Sequence, residues 1–346
     1  MVSNVSMKRI VSPFSGEANA AEPRLLPGFT RSWLSQSRCE EHESIMIQPS
    51  RRAVTCLILA FGTAGAWRNA AAAPAASSPP GTSEWSPGMH SALRIVDGGP
   101  LDGDVGRRLA ALIIKLDPHF KTYWRTPGDS GLPPVFDWSA SRNVRAVEVL
   151  WPAPMRFEDT AGSSIGYQDK VVFPLHVTLG EPGRPAQLVL RLDYAVCEKI
   201  CIPAQGAAQV ALPAGSAPTP HAALVRAALR KVPGRAVPGD GPAPTLQTVV
   251  AGPDGASLIV AALVPDSASI VDIFTEGPAD WTFAAPMAVA VEPAGPGTRL
   301  IHYRIGVDAR PPGGGVLAGL PLSLTLTAGE TALEFQTRLD GDAKSP

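Results

Sequence analysis

Two cysteines, Cys197 and Cys201, are separated by three residues in the second half of the chain. The full sequence contains four cysteines, and the other two, Cys39 and Cys56, lie in or before a segment typical of a removable export signal. If that signal is removed, the mature chain keeps only the closely spaced pair. Two thiols at so short a separation indicate a redox-active pair or a pair of ligands for a soft metal.

The spacing of the cysteines restricts how they can meet. A disulfide needs Cα atoms about 4.4–6.8 Å apart, whereas four residues of one extended strand span about 13 Å. Residues 188–196 (LVLRLDYAV) are typical of a strand that leads into Cys197, and Pro203 disfavours a helix after Cys201. We therefore expect a turn at residues 198–200, with the cysteines at the ends of two strands.

A disulfide across so few residues contributes little as a structural staple. The chain-entropy model gives about 2 kcal/mol for such a short loop, less than a long-range bridge provides. Short disulfides at turns are also often strained and exposed, which makes them easier to reduce. The spacing thus favours a redox role. The alternatives are a non-catalytic binding protein with a structural disulfide and a metal site. Lys199 favours a thiolate and Glu198 opposes it, so their net effect stays open.

The metal alternative is Cu(I), because two thiolates suit this ion. A C-x-x-x-C segment followed closely by proline also occurs in Sco-type copper proteins, although their thioredoxin-like fold does not agree with the strand pattern described below. A third ligand would have to come from another part of the chain. The candidates are His119, His176 and His302.

Residues 46–76 are typical of a secretory signal peptide. Arg51 and Arg52 form the basic start, residues 53–66 (AVTCLILAFGTAGA) form the apolar region, and residues 70–76 offer several A-x-A cleavage sites. The apolar region is too short to span a bilayer, which needs about 20 apolar residues. We therefore expect cleavage near residues 70–76 and a periplasmic mature protein without a membrane span, in a compartment where disulfides form.

Residues 1–45 are polar and mixed, and they precede Met46. We interpret them as an over-extended reading frame and exclude them from fold reasoning. Charged residues make up 18% of the chain and its formal net charge is −1. This charge balance gives no case for binding nucleic acid or an anionic membrane surface. The remaining length allows one large domain or two small ones.

Residues 77–90 are rich in small residues and proline, which predicts a linker. Residues 91–213 then show short apolar runs broken by turn residues, and this pattern predicts an antiparallel β-sandwich. The predicted strands are Ala110–Leu116, Val144–Leu150, Val171–Leu179, Ala186–Leu192 and a final strand at Gln209–Leu212.

Residues 214–244 are predicted to hold one helix and a second linker. The helix is expected at Thr219–Val232, with Thr219 as N-cap, and the linker at Pro238–Pro244. Residues 245–340 predict a second small β-rich domain without a catalytic cluster. Its predicted strands are Leu246–Val250, Ser257–Val264, Ile270–Thr275, Arg299–Ile305, Leu322–Leu326 and Ala332–Arg338. The predicted fold class is therefore all-β.

Three sequence blocks in residues 85–213 carry a family resemblance. They are KTYWRTPGDSGLPP at 121–134 with Phe136-Asp137-Trp138, WPAP at 151–154 running on to Ile165-Gly166-Tyr167, and YAVCEKICIPA at 194–204. In this order they resemble the N-terminal periplasmic domain of DsbD-type thiol:disulfide interchange proteins, in particular the ScsB-like branch. The 121–134 block itself is expected to be a surface loop, either near the cysteine pair or with a purely structural role.

The resemblance implies an immunoglobulin-like β-sandwich and thiol–disulfide exchange of the protein-disulfide reductase type. In that family the domain receives electrons from a membrane-embedded DsbD- or CcdA-like donor and passes them to periplasmic thioredoxin-fold proteins. Cytochrome c biogenesis and copper tolerance are the biological settings it suggests. Cys197 and Cys201 match the family's catalytic pair, and by analogy Cys201 is expected to attack first.

The resemblance also implies a cap loop over the disulfide, which would correspond to Met155–Tyr167. Phe157 or Tyr167 would be the covering aromatic, Tyr194 would wall the site, and Pro203 would shape it; ordinary core packing is the alternative for each aromatic residue. Two departures from the family pattern are a shorter gap between the cysteines and the lack of transmembrane and thioredoxin-like domains in the sequence. We therefore expect either a carrier served by a separate membrane protein or a relic of the family that keeps the sandwich for another purpose.

Overall fold

The computed structural model describes residues 79–101, 104–129, 131–159, 162–215, 219–239 and 241–339. The described residues all belong to one compact unit. The expected extension at 1–45 and the expected signal peptide at 46–76 lie outside them. Among the described residues, no helix combines the length and the apolar character that crossing a bilayer requires.

Residues up to Leu212 form a first β-sandwich of two antiparallel sheets. Its strands are β1 (Ser86–Gly88), β2 (Ser91–Leu101), β3 (Asp104–Leu116), β4 (Lys121–Gly128), β5 (Val135–Asp137), β6 (Val144–Val149), β7 (Met155–Asp159), β8 (Gly162–Gln168), β9 (Lys170–Leu179), β10 (Ala186–Cys197) and β11 (Cys201–Leu212). Sheet I has the order β1-β2-β3-β9-β6. Sheet II has the order β11-β10-β4-β8-β7, and β5 also pairs with β10.

The apolar run in β3 is continuous because both faces of this strand are covered. Successive side chains of a strand point to opposite faces. One face of β3 carries Ala110, Leu112 and Ile114, which lie in the core between sheets I and II. The other face carries Leu109, Ala111 and Ile113, which pack beneath a helix. Strands buried on both faces lose the alternation of apolar and polar residues.

That helix is α1 (Ala222–Leu229), which follows the first sandwich and packs on sheet I through Val225. It is shorter at both ends than the predicted helix at 219–232. Its N-cap is His221, without a side-chain cap, and so the prediction that Thr219 caps the helix is wrong. The Thr219 hydroxyl instead donates to the carbonyl of Asp97 at 2.9 Å, which ties the helix to β2.

The second sandwich follows the helix and has its own core. Its strands are β12 (Gly234–Ala236), β13 (Thr245–Ala251), β14 (Ser257–Pro265), β15 (Val271–Glu276), β16 (Thr282–Phe283), β17 (Met287–Gly295), β18 (Thr298–Ala309), β19 (Pro321–Ala328) and β20 (Thr331–Arg338). Sheet III has the order β12-β20-β19-β15, and sheet IV has the order β13-β14-β18-β16, with β17 also paired to β18. All these pairs are antiparallel except β12 with β20. The core between sheets III and IV includes Leu258, Val260, Ile305, Leu324 and Phe335.

The predicted all-β class with two β-rich parts is confirmed. Every strand named from the sequence lies within or overlaps an observed strand, although the predicted final strand at 209–212 is only the end of β11. Residues 238–244, expected to be a linker, contain no helix or strand in their described part.

The prediction of a linker at 77–90 is wrong for the residues that the structure describes. Thr82 forms a β-bridge with Val96, and β1 pairs with β2. The Ser83 hydroxyl accepts a hydrogen bond from the backbone N–H of Ile95 at 2.9 Å. Hydrogen bonds of backbone and hydroxyl groups hold this segment on the sandwich, and few of its side chains are apolar. Its sequence therefore shows no alternation of apolar and polar residues that would predict a strand.

Strands β4 and β7 of sheet II contact sheet III of the second sandwich. Arg125 forms a bidentate ion pair with Glu276, at 2.9 and 2.6 Å, and also pairs with Glu334 at 2.5 Å. Arg156 pairs with Asp272 at 2.9 Å. Trp124 of β4 meets Phe274 of β15 edge-to-face between these ion pairs, with ring centroids 5.8 Å apart. The two sandwiches are thus joined by charge pairs around an aromatic contact.

Candidate functional site

The two cysteines close the hairpin formed by β10 and β11. The strands pair from Ala186 with Leu212 up to Cys197 with Cys201, and residues 198–200 form the turn. Cys197 and Cys201 are joined by a disulfide, with their Cα atoms 4.2 Å apart. The predicted arrangement of a turn between two strand ends is therefore what the structure shows. All three turn residues are exposed, and Ile200 is 76% exposed.

The two sulfur-bearing residues differ in burial. Cys197 is only 5% exposed and packs with Tyr123 and Ala195, whereas Cys201 is partly exposed at the edge of this cluster. Thiol–disulfide exchange requires the attacking sulfur to approach the attacked one directly, so the rate depends on access. Cys201 is thus the sulfur that an incoming molecule reaches more easily.

Tyr123 touches the disulfide directly, with its hydroxyl 2.8 Å from Sγ of Cys201. A sulfur within a disulfide carries no hydrogen, so here the tyrosine hydroxyl donates. The ring of Tyr123 is almost fully buried, and the chain after β4 folds closely over it: a Cβ at Gly131 would lie 2.6 Å from Cδ1 of the ring. Tyr123 belongs to the 121–134 block, but its sequence context gave no reason to assign it to the site.

The prediction that residues 121–134 form a surface loop is wrong for residues 121–128, which are strand β4. Lys121 to Trp124 are all buried. The charged and proline residues of the block suggested a loop, but the charges of Lys121 and Arg125 are held by partners, and Pro127 lies in an irregular stretch where the pairing of β4 with β8 shifts. This strand brings Tyr123 to the hairpin.

Strand register defines which side chains share a face with the disulfide. Lys121 of β4 is paired with Cys197 on one side and with Gln168 of β8 on the other. Directly paired side chains point to the same face of a sheet. The Nζ of Lys121 donates to Oγ of Ser164 at 2.9 Å and lies 5.4 Å from the centroid of the Phe157 ring. We call the face that carries Cys197, Cys201, Lys121, Tyr123 and Ser164 the disulfide face.

Two of the four predicted site-shaping residues lie on the disulfide face. Phe157 pairs with Ser164, and its ring meets Lys121. Pro203, two residues after Cys201, pairs with Ala195, two residues before Cys197. Pro203 is exposed. Their predicted roles in covering and shaping the disulfide remain predictions, and both residues are placed where those roles are possible.

The other two predicted residues, Tyr167 and Tyr194, point to the opposite face and lie in the sandwich core. Tyr167 donates to the carbonyl of Pro152 at 2.8 Å, and the Tyr194 hydroxyl is 2.7 Å from Oγ of Ser91. Burial raises the pKa of both phenols, and the hydrogen bond with Ser91 partly opposes this for Tyr194. Their contacts are those of ordinary core packing.

The segment predicted as a cap loop, Met155–Tyr167, is mainly a β-hairpin. Strands β7 and β8 pair from Met155 with Gly166 to Asp159 with Gly162. The prediction of a loop is therefore corrected: the described strands of this segment are part of sheet II. The hairpin was missed from the sequence because Gly162 and Gly166 weaken the strand pattern. A Cβ at Gly166 would lie 2.0 Å from the carbonyl oxygen of Thr122, so close strand contact requires this glycine.

The histidines considered as a third copper ligand are dispersed. His176 lies in β9 beside Glu148 at 3.2 Å, His302 lies in β18 of the second sandwich, and His119 occupies the turn between β3 and β4. In the part of the chain that the structure describes, no group of three or more His, Cys, Asp or Glu side chains is arranged to hold a metal ion.

Comparison with known proteins agrees with this architecture. The family model described as thiol:disulfide interchange protein DsbD, N-terminal, matches residues 101–213. The crystal structure of the N-terminal periplasmic domain of ScsB from Proteus mirabilis has a similar fold, with a TM-score of 0.59 and 19% sequence identity; the match covers 76% of this chain and 100% of that one. No curated protein matches the chain.

The fold and the site together define a β-sandwich domain with a disulfide at the tip of one hairpin. Within this class, residues 101–213 match the DsbD N-terminal family model, so the family resemblance inferred from the sequence is confirmed for this domain.

Proposed function

We propose that this protein is a periplasmic thiol–disulfide interchange protein that carries electrons as the dithiol and disulfide forms of Cys197 and Cys201. The observation that carries the proposal is the hairpin disulfide, with one accessible sulfur, in a domain of the DsbD N-terminal family. It is an activity of the protein-disulfide reductase type.

The proposed exchange begins at Cys201. A thiolate of the electron donor attacks Sγ of Cys201, the Cys197–Cys201 bond breaks, and Cys197 leaves as a thiolate. A second donor thiolate then attacks the donor's sulfur in the mixed disulfide and releases Cys201. The donor has become a disulfide, and the pair in this chain has gained two electrons. In the second half-reaction, the Cys201 thiolate attacks an acceptor disulfide, and Cys197 resolves the mixed disulfide.

Tyr123 supports this order of events. Its hydroxyl donates to Sγ of Cys201 across 2.8 Å in the disulfide form. Hydrogen bonds to an ionised group are roughly twice as strong as those between neutral groups. The same contact therefore stabilises Cys201 when it becomes a thiolate, and it holds the sulfur in a fixed place at the hairpin tip.

The partners that we propose are a membrane-embedded DsbD- or CcdA-like donor and periplasmic acceptors with a thioredoxin fold. The exposed Ile200 at the turn and the exposed Pro203 beside it give the disulfide an apolar border. Apolar side chains at the centre of a transient interface are what a docking redox partner would cover. Cytochrome c biogenesis and copper tolerance are the processes in which such a carrier would act.

The first test is the reduction potential of the pair, measured by thiol trapping and mass spectrometry after equilibration in glutathione or dithiothreitol buffers. We expect a value above about −300 mV, in the range of exchange proteins. A value well below this limit would indicate a structural disulfide and would overturn the proposal.

The second test is trapping of partners with single-cysteine variants. Cys197→Ser leaves the accessible Cys201 and should accumulate mixed disulfides with thioredoxin-fold proteins in periplasmic extract. The matched control, Cys201→Ser, leaves only the buried Cys197 and should accumulate far fewer. Equal trapping by the two variants would contradict the assigned order of attack. Stoichiometric Cu(I) binding by the reduced protein, lost in both variants and without any trapping, would support the copper-handling alternative instead.

A further inference from the structure

Lys121 occupies an unusual position for a lysine, because its side chain is buried beside the redox cysteines. It is 8% exposed and lies in β4 directly opposite Cys197, which is 5% exposed. Side chains at directly paired positions of antiparallel strands have Cβ atoms about 4.5–5.5 Å apart and share one face. Lys121 is thus the immediate cross-strand neighbour of the sulfur that leaves during exchange.

The ammonium group of Lys121 is held in place by two further contacts. It donates to Oγ of Ser164 at 2.9 Å and lies 5.4 Å from the centroid of the Phe157 ring. Lysine is almost never fully buried without partners, because removing its charge from water is costly. The buried surroundings also reduce the screening of its charge by water, so it acts more strongly on nearby groups than a surface lysine would.

The other charged residues near the hairpin are placed differently. Glu198 and Lys199 are exposed on the turn and carry opposite charges. Glu158 of β7 is exposed and pairs with Ser163, on the face opposite to Phe157. Water screens the charges of these exposed groups, and the opposite charges of Glu198 and Lys199 offset each other. Their electrostatic effect on the sulfurs is therefore weak. Lys121 combines burial, a fixed position and direct pairing with Cys197.

We propose that Lys121 is a positioning residue of the redox site that stabilises the thiolate of Cys197. This inference deepens the proposed function and rests on it. When a donor thiolate attacks Sγ of Cys201, the electron pair of the breaking S–S bond passes to Sγ of Cys197. The negative charge forms on the residue that is paired directly with Lys121, on the same face of the sheet as its weakly screened positive charge, and no proton has to move. Lys121 therefore makes Cys197 a better leaving group and makes the disulfide easier to reduce.

The test compares Lys121→Met with Lys121→Arg. Methionine keeps the length and burial of the side chain without the charge, whereas arginine keeps the charge. In a Cys201→Ser background, the ionisation of Cys197 is followed by thiolate absorbance against pH. We expect Lys121→Met to raise the pKa of the Cys197 thiol by about one unit. Lys121→Arg should leave the pKa within a few tenths of a unit of the value with lysine.

The same substitutions in the two-cysteine protein give a second readout. The equilibrium with glutathione should shift several-fold toward the disulfide in Lys121→Met and little in Lys121→Arg. Thermal unfolding of each variant identifies a protein that has lost its fold. Ser164→Ala, which keeps the charge and removes one anchor, covers the case in which Lys121→Met does not fold; it should move the Cys197 pKa in the same direction by a smaller amount.

Unchanged Cys197 ionisation and unchanged glutathione equilibrium in a folded Lys121→Met protein would overturn this inference. Equal changes in Lys121→Met and Lys121→Arg would also overturn it, because they would show a packing effect without a role for charge. Both readouts use the isolated protein without a partner. A failure of the proposed function, seen as a very low potential or the absence of trapped partners, is therefore distinguishable from a failure of the role of Lys121.

Discussion

Cys197 and Cys201 share one covalent bond but have different neighbours. Cys197 is packed against Ala195 and Tyr123 and lies beside Lys121, whereas Cys201 is partly exposed and receives the hydroxyl of Tyr123. In the proposed exchange, Cys201 is the sulfur that a partner approaches and Cys197 is the sulfur that leaves. This difference in surroundings would give the disulfide a preferred direction of reaction.

Replacing Tyr123 by phenylalanine tests the hydroxyl contact alone. In a Cys197→Ser background, Tyr123→Phe should slow alkylation of Cys201 at neutral pH several-fold, because the thiolate loses a hydrogen bond worth about 1–2 kcal/mol. The measurement is the alkylation rate against pH. The matched control is Tyr194→Phe, which removes a phenol hydroxyl on the core face and should leave the rate unchanged. Equal rates for wild type and Tyr123→Phe would contradict the assigned role of the hydroxyl.

The site residues differ in how far the sequence could predict them. The cysteines followed from their type and spacing. Assigning Phe157 and Pro203 to the disulfide face, and Tyr167 and Tyr194 to the core, requires the pairing of β4, β8 and β11 with their neighbours. A shift of one residue in register moves a side chain to the other face, and nothing in one sequence fixes that register. Tyr123 and Lys121 were missed for the same reason.

At the scale of the elements, the hairpin of β10 and β11 does not need its disulfide to keep its register. The strands pair along their whole length, and their inward side chains belong to the sandwich core. We expect the double variant Cys197→Ser, Cys201→Ser to fold and to lose about 2 kcal/mol or less, because the closed loop is short. Urea unfolding of the oxidised wild type and the variant measures this. Loss of the fold would favour a structural role for the disulfide.

The contact between helix α1 and the start of the first sandwich predicts a pH effect. Nε2 of His221 meets Oγ1 of Thr82. Burial, and next the charge of Arg94, lower the pKa of His221 below its ordinary value of 6.5, against the opposing charge of Asp97. As the pH falls below about 6.5, the unfolded chain therefore takes up a proton before the folded protein does. Stability is expected to fall as the pH moves from about 6.5 through the lower pKa of the folded state.

His221→Gln tests this pH effect, because glutamine does not titrate. The denaturation midpoints of wild type and variant are measured between pH 7.5 and 5. Below about pH 6.5, the midpoint of the variant should decline less than that of the wild type. Parallel curves over the whole range would show that His221 carries no linked protonation.

The sequence predicted strands correctly where apolar runs were long. It missed strands that are held by ion pairs or backbone pairing instead of apolar side chains. Strands β3, β9 and β14 have continuous apolar sequences. Strand β4 has charged residues and a proline, and its Arg125 forms ion pairs with the second sandwich that no local sequence pattern shows. The short β1 is an edge strand that is fixed by backbone pairing with β2.

At the scale of the whole molecule, β4 connects the disulfide to the second sandwich. Tyr123 contacts the disulfide, Trp124 contacts Phe274, and Arg125 binds Glu276 and Glu334. Burial acts to lower the pKa of Arg125, but hydrogen bonds and charge from the two glutamates outweigh it and the net change is upward. The sequence predicted two β-rich parts, but it gave no sign that they would be joined so close to the cysteines.

Replacing Arg125 by methionine should weaken this connection. The loss leaves two carboxylates without their shared cation, and we expect about 1–3 kcal/mol of destabilisation, below the value for a fully buried pair because Arg125 is 29% exposed. Urea unfolding gives the change. The matched control is Arg304→Met, which removes a pair with Asp254 at the surface of the second sandwich and should cost clearly less, because water screens an exposed pair. Equal losses of unfolding free energy in the two variants would mean that the Arg125 ion pairs stabilise the protein no more than a surface ion pair does.

The closeness of Cys197 and Cys201 along the chain has a consequence for biosynthesis. Segments of a few residues close into loops within well under a microsecond, long before a sandwich of distant strands can assemble. In an oxidising compartment, an oxidase would therefore find these two thiols within reach on a still unfolded polypeptide. A chain that is bridged early does not have to undo the bridge to reach its final register, because Cys197 and Cys201 are paired in the folded hairpin.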